Sequence, residues 1–186
     1  MDTNPCEILS GACAEILKNR KDVLTMACQQ RAKFEGWLKF ELAVAIGRKP
    51  GISEVIIEDS YKDKGRSDIS FRYMNEKYQV EMKTANTNWR VNGVENLTRP
   101  ITMNIDGIID DIGVLKLKCP PNHGLAVFTM FPIPQQLLKY YPERLHSHLR
   151  RIEKETELGE ASLSRAMKLV PITEDYGVGV FVVHVV

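Results

Sequence analysis

The chain contains no apolar run approaching the roughly 20 residues that a membrane-spanning helix needs. Its opening, Met1-Asp2-Thr3-Asn4-Pro5, has no basic segment followed by an apolar one, so no secretory leader is expected and the reading is cytoplasmic. The four cysteines, Cys6, Cys13, Cys28 and Cys119, include no C-x-x-C pair, and no histidine pair stands at zinc-finger spacing. A disulfide framework and a structural zinc site are both disfavoured, which leaves reduced, mostly buried thiols. An excess of one charge is missing too. The net charge is +1, whereas a protein that coats nucleic acid over its whole surface is far more basic. A local basic patch is still enough to grip one short stretch of phosphate.

What is present suits one globular domain spanning 1–186, with 44% apolar and 26% charged residues. Internal repeats, low-complexity tracts and linkers are all lacking. Residues 5–18 read as a first helix, with Asn4 as its cap and Pro5 in its first turn. Residues 28–46 read as a second helix, ended by Gly47 and the Pro50-Gly51 pair. Strands follow at 54–59, 67–73 and 77–83, the last two alternating apolar and polar residues and joined by a turn at Asn75-Glu76. A polar stretch over 84–103, including Asn92, Asn96 and Pro100, precedes a helix at 105–116 and an apolar strand at 125–131. Residues 135–154 read as helical with a break near Pro142, and 178–186 as a buried strand.

Chemistry concentrates in Arg66-Ser67-Asp68-Ile69-Ser70 and Gln79-Val80-Glu81-Met82-Lys83-Thr84. Strand side chains alternate between faces, so Glu81 and Lys83 point the same way while Val80 and Met82 point to the core. Two adjacent charges on a strand face are a poor choice for packing, so that face is exposed or used. The hairpin brings Asp68 close to the level of Lys83, at the end away from the turn. Two carboxylates and an ammonium then converge. Carboxylate oxygens suit Mg²⁺ or Mn²⁺, and a neighbouring lysine can orient or deprotonate a water. The set suits phosphodiester hydrolysis.

In these residues the chain resembles the PD-(D/E)XK, or restriction-endonuclease-like, nuclease superfamily. The family signature is an acidic residue on one strand, then Asp or Glu, any residue, and Lys on the next. Asp68, Glu81 and Lys83 match it, with Ser67 where the family name has proline. The resemblance implies an α/β fold with an αβββαβ core, a central mixed sheet flanked by helices. That core spans about residues 28–131, with 135–186 as additions. It also implies an endonuclease or related hydrolase that depends on Mg²⁺ or Mn²⁺. Nucleic acid would be its partner, DNA before RNA, with no membrane involved and a homodimer left open. Asp68 and Glu81 would be metal ligands, and Lys83 would position the water.

Members of the superfamily often carry a glutamate on the first core helix beside the metal. On a wheel of about 100° per residue, Phe34, Trp37, Leu38, Leu42 and Ala45 outline an apolar face that contains Glu41 and leaves Glu35 at its margin. Burying a carboxylate there is costly unless it is paired or bound to metal, so Glu41 is the expected fourth catalytic and metal-binding residue. Gln79, Thr84, Asn86, Asn88, Trp89 and Arg90 border the site as candidate substrate contacts. Trp89 could stack on a base or simply anchor the loop. Asp106, Asp110 and Asp111 read as a solvated helix face. The alternative function is a non-catalytic module that binds nucleic acid or protein on the same fold.

Overall fold

The computed structural model describes residues 4–61, 65–94, 100–159 and 162–185. Met1 to Thr3, Asn96 and Val186, which carried sequence expectations, lie outside the described residues. The chain folds as α1 (Pro5–Asn19), α2 (Lys21–Gln29), α3 (Glu35–Gly47), β1 (Ile52–Ser60), β2 (Arg66–Tyr73), β3 (Glu76–Asn86) and α4 (Ile101–Lys118). It continues through β4 (Gly124–Pro134), α5 (Gln135–Tyr140), α6 (Pro142–Glu155), α7 (Ser162–Ala166), β5 (Lys168–Pro171) and β6 (Tyr176–Val185). The strands form one six-stranded mixed sheet in the order β1-β2-β3-β4-β6-β5. Only β3 and β4 run parallel, and α4 makes the crossover between them.

Helices cover both faces of this sheet. On one, α1 and α3 pack Leu9, Leu17, Leu38, Leu42 and Ile46 against Ile69, Val80, Met82 and Val180. On the other, α4 and α6 pack Ile105, Ile108, Ile112 and Leu149 against Ala126, Phe128, Phe181 and Val183. β6 is buried along nearly its whole length because it pairs with β4 and its residues enter the cores on both faces of the sheet, while β5 flanks only Gly177 to Val180.

The cap of α1 is as expected: the Asn4 side chain accepts the Cys6 N–H at 2.9 Å, with Pro5 next. The helix expected over 28–46 is corrected. The chain leaves the helix after Gln29 and re-enters it at Glu35, because Arg31 adopts a left-handed φ of 54°. Its buried guanidinium reaches across to Asn86 Oδ1 at 3.1 Å and the Trp89 carbonyl at 3.0 Å. A long-range anchor thus overrides local helical periodicity.

The hairpin turn also moves by one residue. Tyr73 pairs with Glu76, so Met74 and Asn75 form the loop, both with positive φ (50° and 69°). That two-residue geometry matches the twist of the flanking strands. Gly51, at φ 79°, turns the chain into β1, and a side chain there would meet the Tyr73 ring at 3.3 Å.

Candidate functional site

β2 and β3 pair from Tyr73 opposite Glu76 up to Ile69 opposite Val80. Beyond that point β2 stays with β1, pairing Ser67 with Asp59 and Arg66 with Ser60, while β3 continues beside β4 to Asn86. The two strands part, and the β3 backbone donors on that side need other acceptors. Two carboxylates serve. Asp68 Oδ2 accepts the Met82 N–H at 2.8 Å, and Glu35 Oε2 accepts the Thr84 N–H at 2.9 Å. The fork between the strands is thereby lined with acid.

Glu81 and Lys83 project between these two positions toward α4. The Tyr61 hydroxyl donates to Glu81 Oε1 at 2.5 Å. Lys83 Nζ lies 2.9 Å from Asp111 Oδ2 in a half-buried ion pair. Lys39, from α3, stands 3.3 Å from Asp68 Oδ1 and 3.1 Å from Glu58 Oε1. The backbone of α4 approaches closely here. A Cβ on Gly107 would come within 3.2 Å of Lys83 Cε, so the glycine makes room for the lysine stem.

The electrostatics follow from this crowding. Burial pushes the Glu81 carboxyl up to about 7; the Tyr61 hydrogen bond opposes the rise, and Asp68 and Asp111 add to it. Burial likewise raises Asp111 against the pull of Lys83, with Glu35 and Asp68 adding. For Lys83, burial pulls the ammonium down, but Asp111, Glu35 and Asp68 outweigh it and leave it raised. Tyr61 is held protonated, first by burial and then by Glu81. The crowding favours the protonated form of Glu81.

Asp68 lies at the level of Glu81 and Met82, two residues from the expected level of Lys83, because the turn sits one residue earlier. It still neighbours Glu81 and Lys83 at the fork. Glu41 does not. It faces α1, where Arg20 Nη1 lies 3.8 Å away, and both side chains are substantially exposed. Glu35 takes its expected place. Counting about 100° per residue, Glu35 falls in the middle of the arc drawn by the buried Leu38, Leu42, Ala43 and Ile46. Trp37 and Ala45, which shifted the expected face toward Glu41, line the α1 side, and Trp37 stacks under Arg20. Asp111 is the second correction, since it is no solvated helix residue. Asp106 does pair outward, with Arg151 at 2.6 Å.

The substrate candidates divide. Gln79 is buried and accepts from the Cys119 thiol at 3.4 Å. Thr84 contributes its backbone to the fork, while its buried hydroxyl turns away. Asn86 is structural, since its Oδ1 accepts from Arg31 and from the Asn88 N–H. Asn88, Trp89 and Arg90 border a cleft further along the same sheet face. Lys39 and Tyr61 were missed because nothing local marks them; their roles depend on β1 and β2 folding across α3.

As donors, Asp68, Glu81, Glu35 and Asp111 are hard ligands of the kind Mg²⁺ takes. Among the described residues no three such groups converge into a ready-made cluster, and two of the acids, Asp68 and Asp111, are paired with Lys39 and Lys83. All four cysteines are free, and burial raises the thiols of Cys13 and Cys28, keeping them protonated. Compared with protein-family models, curated proteins and solved structures, the chain matches none.

Proposed function

We propose that this protein is a metal-dependent nuclease of the PD-(D/E)XK type, hydrolysing phosphodiester bonds, with DNA the favoured substrate. The observation that carries the reading is the fork between β2 and β3. There Asp68, Glu81 and Lys83 meet Glu35 and Asp111 beside two backbone amides that carboxylates, not a strand, receive. A purely structural network would spend such buried charge at a loss, since buried ion pairs seldom repay their desolvation. The order α3-β1-β2-β3-α4-β4 also follows the αβββαβ pattern of that superfamily.

Asp68 and Glu81 would hold Mg²⁺ or Mn²⁺, with Glu35 or Asp111 completing the oxygen donors. The ion would supply Lewis-acid polarisation of the scissile phosphate. Lys83 orients the attacking water and offsets charge on the phosphate, and Gly107 lets its stem lie flat against α4. Lys39 holds Asp68 in place through their ion pair. Tyr61 orients Glu81 through its hydroxyl. Asp111 holds Lys83 charged until substrate arrives.

The test compares wild type with Lys83→Ala on plasmid, single-stranded DNA and RNA, with Mg²⁺, Mn²⁺ or EDTA. Metal-dependent cleavage by wild type alone is expected. Equal cleavage by the variant would remove Lys83 from the mechanism. The second reading is a non-catalytic binding module, and the Lys39–Asp68 and Lys83–Asp111 pairs favour it by neutralising the acids. Metal titration separates the two, because only the nuclease site should gain thermal stability from Mg²⁺ or Mn²⁺.

A further inference from the structure

Beyond the carboxyl ends of the parallel strands β3 and β4 lies a cleft of about 440 Å³, lined in part by Asn88, Trp89, Arg90, Gln136, Tyr141 and Arg144. We infer that this cleft is a subsite for single-stranded nucleic acid, holding an unstacked base against Tyr141 and Trp89 and its phosphates on Arg90 and Arg144. The inference rests on the nuclease reading for its link to the fork but concerns binding alone.

Charge distinguishes this cleft from the others. Another cleft, of about 470 Å³ near the hairpin turn, also contains basic residues, but there Arg72 pairs with Glu54 at 2.8 Å and Lys77 with Asp59 at 2.6 Å, and the carboxylate of Glu76 lines the cleft along with Lys118. A third, between α1 and α3, mixes Glu15 and Glu41 with Arg48 and Lys49. Among the described residues no carboxylate pairs with Arg90 or Arg144, and none lines their cleft. Two uncompensated guanidinium groups beside one cavity make a site for anions with planar, bidentate oxygens.

The aromatic groups select what carries those anions. Tyr141 is 54% exposed, in the break between α5 and α6, and the Arg144 guanidinium stacks 5.3 Å from its ring centroid. Trp89 packs one side on the core under α4 and α6, near His148, and borders the cleft with the remainder. Its loop is held in advance. Thr87 donates its hydroxyl to the Pro132 carbonyl, and Arg31 binds the Trp89 carbonyl and Asn86. An aromatic shelf flanked by arginines stacks a base whose face is free, and a duplex keeps its base faces inside its own stack. β3 runs three residues past Lys83 to Asn86, about 10 Å of strand, and the cleft opens at Asn88 just beyond its end, so one strand could reach both.

Fluorescence anisotropy of labelled oligo-dT, oligo-rU and a duplex of equal length would be measured in EDTA, which removes cleavage from the readout. Tighter binding of a single strand than of the duplex is expected, the dT and rU arms showing which sugar is accepted. Tyr141→Ala and Arg144→Ala should each weaken single-strand binding about tenfold, the loss of one stacked base. Tyr141→Phe should retain it, and so should Glu41→Gln, whose side chain lies beside Arg20, away from both fork and cleft. With Trp37→Phe in the background, base stacking should also quench the Trp89 emission. Equal or tighter duplex binding would overturn the inference, as would unchanged affinity in both cleft variants. Failure of the nuclease reading is a separate result, namely absent cleavage with this binding intact.

Discussion

Glu81→Gln in metal-free protein tests the electrostatics of the fork directly. Gln keeps the oxygen that accepts from Tyr61 and mimics a protonated carboxyl. The groups facing Glu81 are Tyr61, Asp68, Lys83, Asp111 and Cys119. An ordinary glutamate near 4.5 here rises to about 7. At about 1.4 kcal/mol per pH unit, that is at most about 3.5 kcal/mol. Glu81 remains partly exposed, and screening by water reduces the figure to about 1–2 kcal/mol. Because the folded value is raised, the fold gains from proton binding fully below about pH 4.5 and loses that gain as pH rises through about 7. In EDTA the wild type should therefore fall behind the variant between about pH 5 and pH 8, by about 2–8 °C in Tm. Differential scanning calorimetry of both proteins at matched ionic strength gives the comparison. A Tm difference that stays constant with pH, or one that favours wild type at high pH, would refute a buried, acid-crowded Glu81.

Four further outcomes are expected. Glu35→Gln should reduce metal-dependent cleavage by at least about tenfold, the order lost when one positioned charge goes, whereas Glu41→Gln should leave it unchanged; steady-state cleavage assays decide between them. Gly107→Ala should lower activity by pressing on Lys83, yet hold or raise Tm, since alanine favours a helix interior by about 0.5–1 kcal/mol. Arg31→Ala should cost about 2–3 kcal/mol in urea unfolding, because it strips a charged donor from the Asn86 and Trp89 oxygens. Finally, Mg²⁺ should raise the Tm of wild type and not that of Asp68→Asn.

Much of the core was legible because its signals are local. Residues 67–83 alternate with period two, and a strand of that pattern must send Glu81 and Lys83 to one face and Val80 and Met82 to the other. Asp68 followed from the hairpin, and a one-residue error in the turn did not remove it from the fork. The apolar run at 178–186 announced a buried strand, although not that β6 would lie inside the sheet.

The rest depended on which elements meet. By composition α3 is apolar on nearly all sides, since Trp37, Phe40 and Val44 accompany Leu38, Leu42 and Ile46, so no wheel could tell its sheet-facing side from its α1-facing side. Only packing placed Glu35 at the fork and Glu41 beside Arg20. Asp111 shares a helix with two outward acids and differs from them only because β3 runs beneath it. Arg31 breaks a helix for partners 55 and 58 residues away. Local periodicity determined the Asp68, Glu81 and Lys83 set and every strand but β5, a four-residue segment too short to show a period. Tertiary contact decided which acids and cations join it, because desolvation and pairing are properties of neighbours that chain order does not reveal.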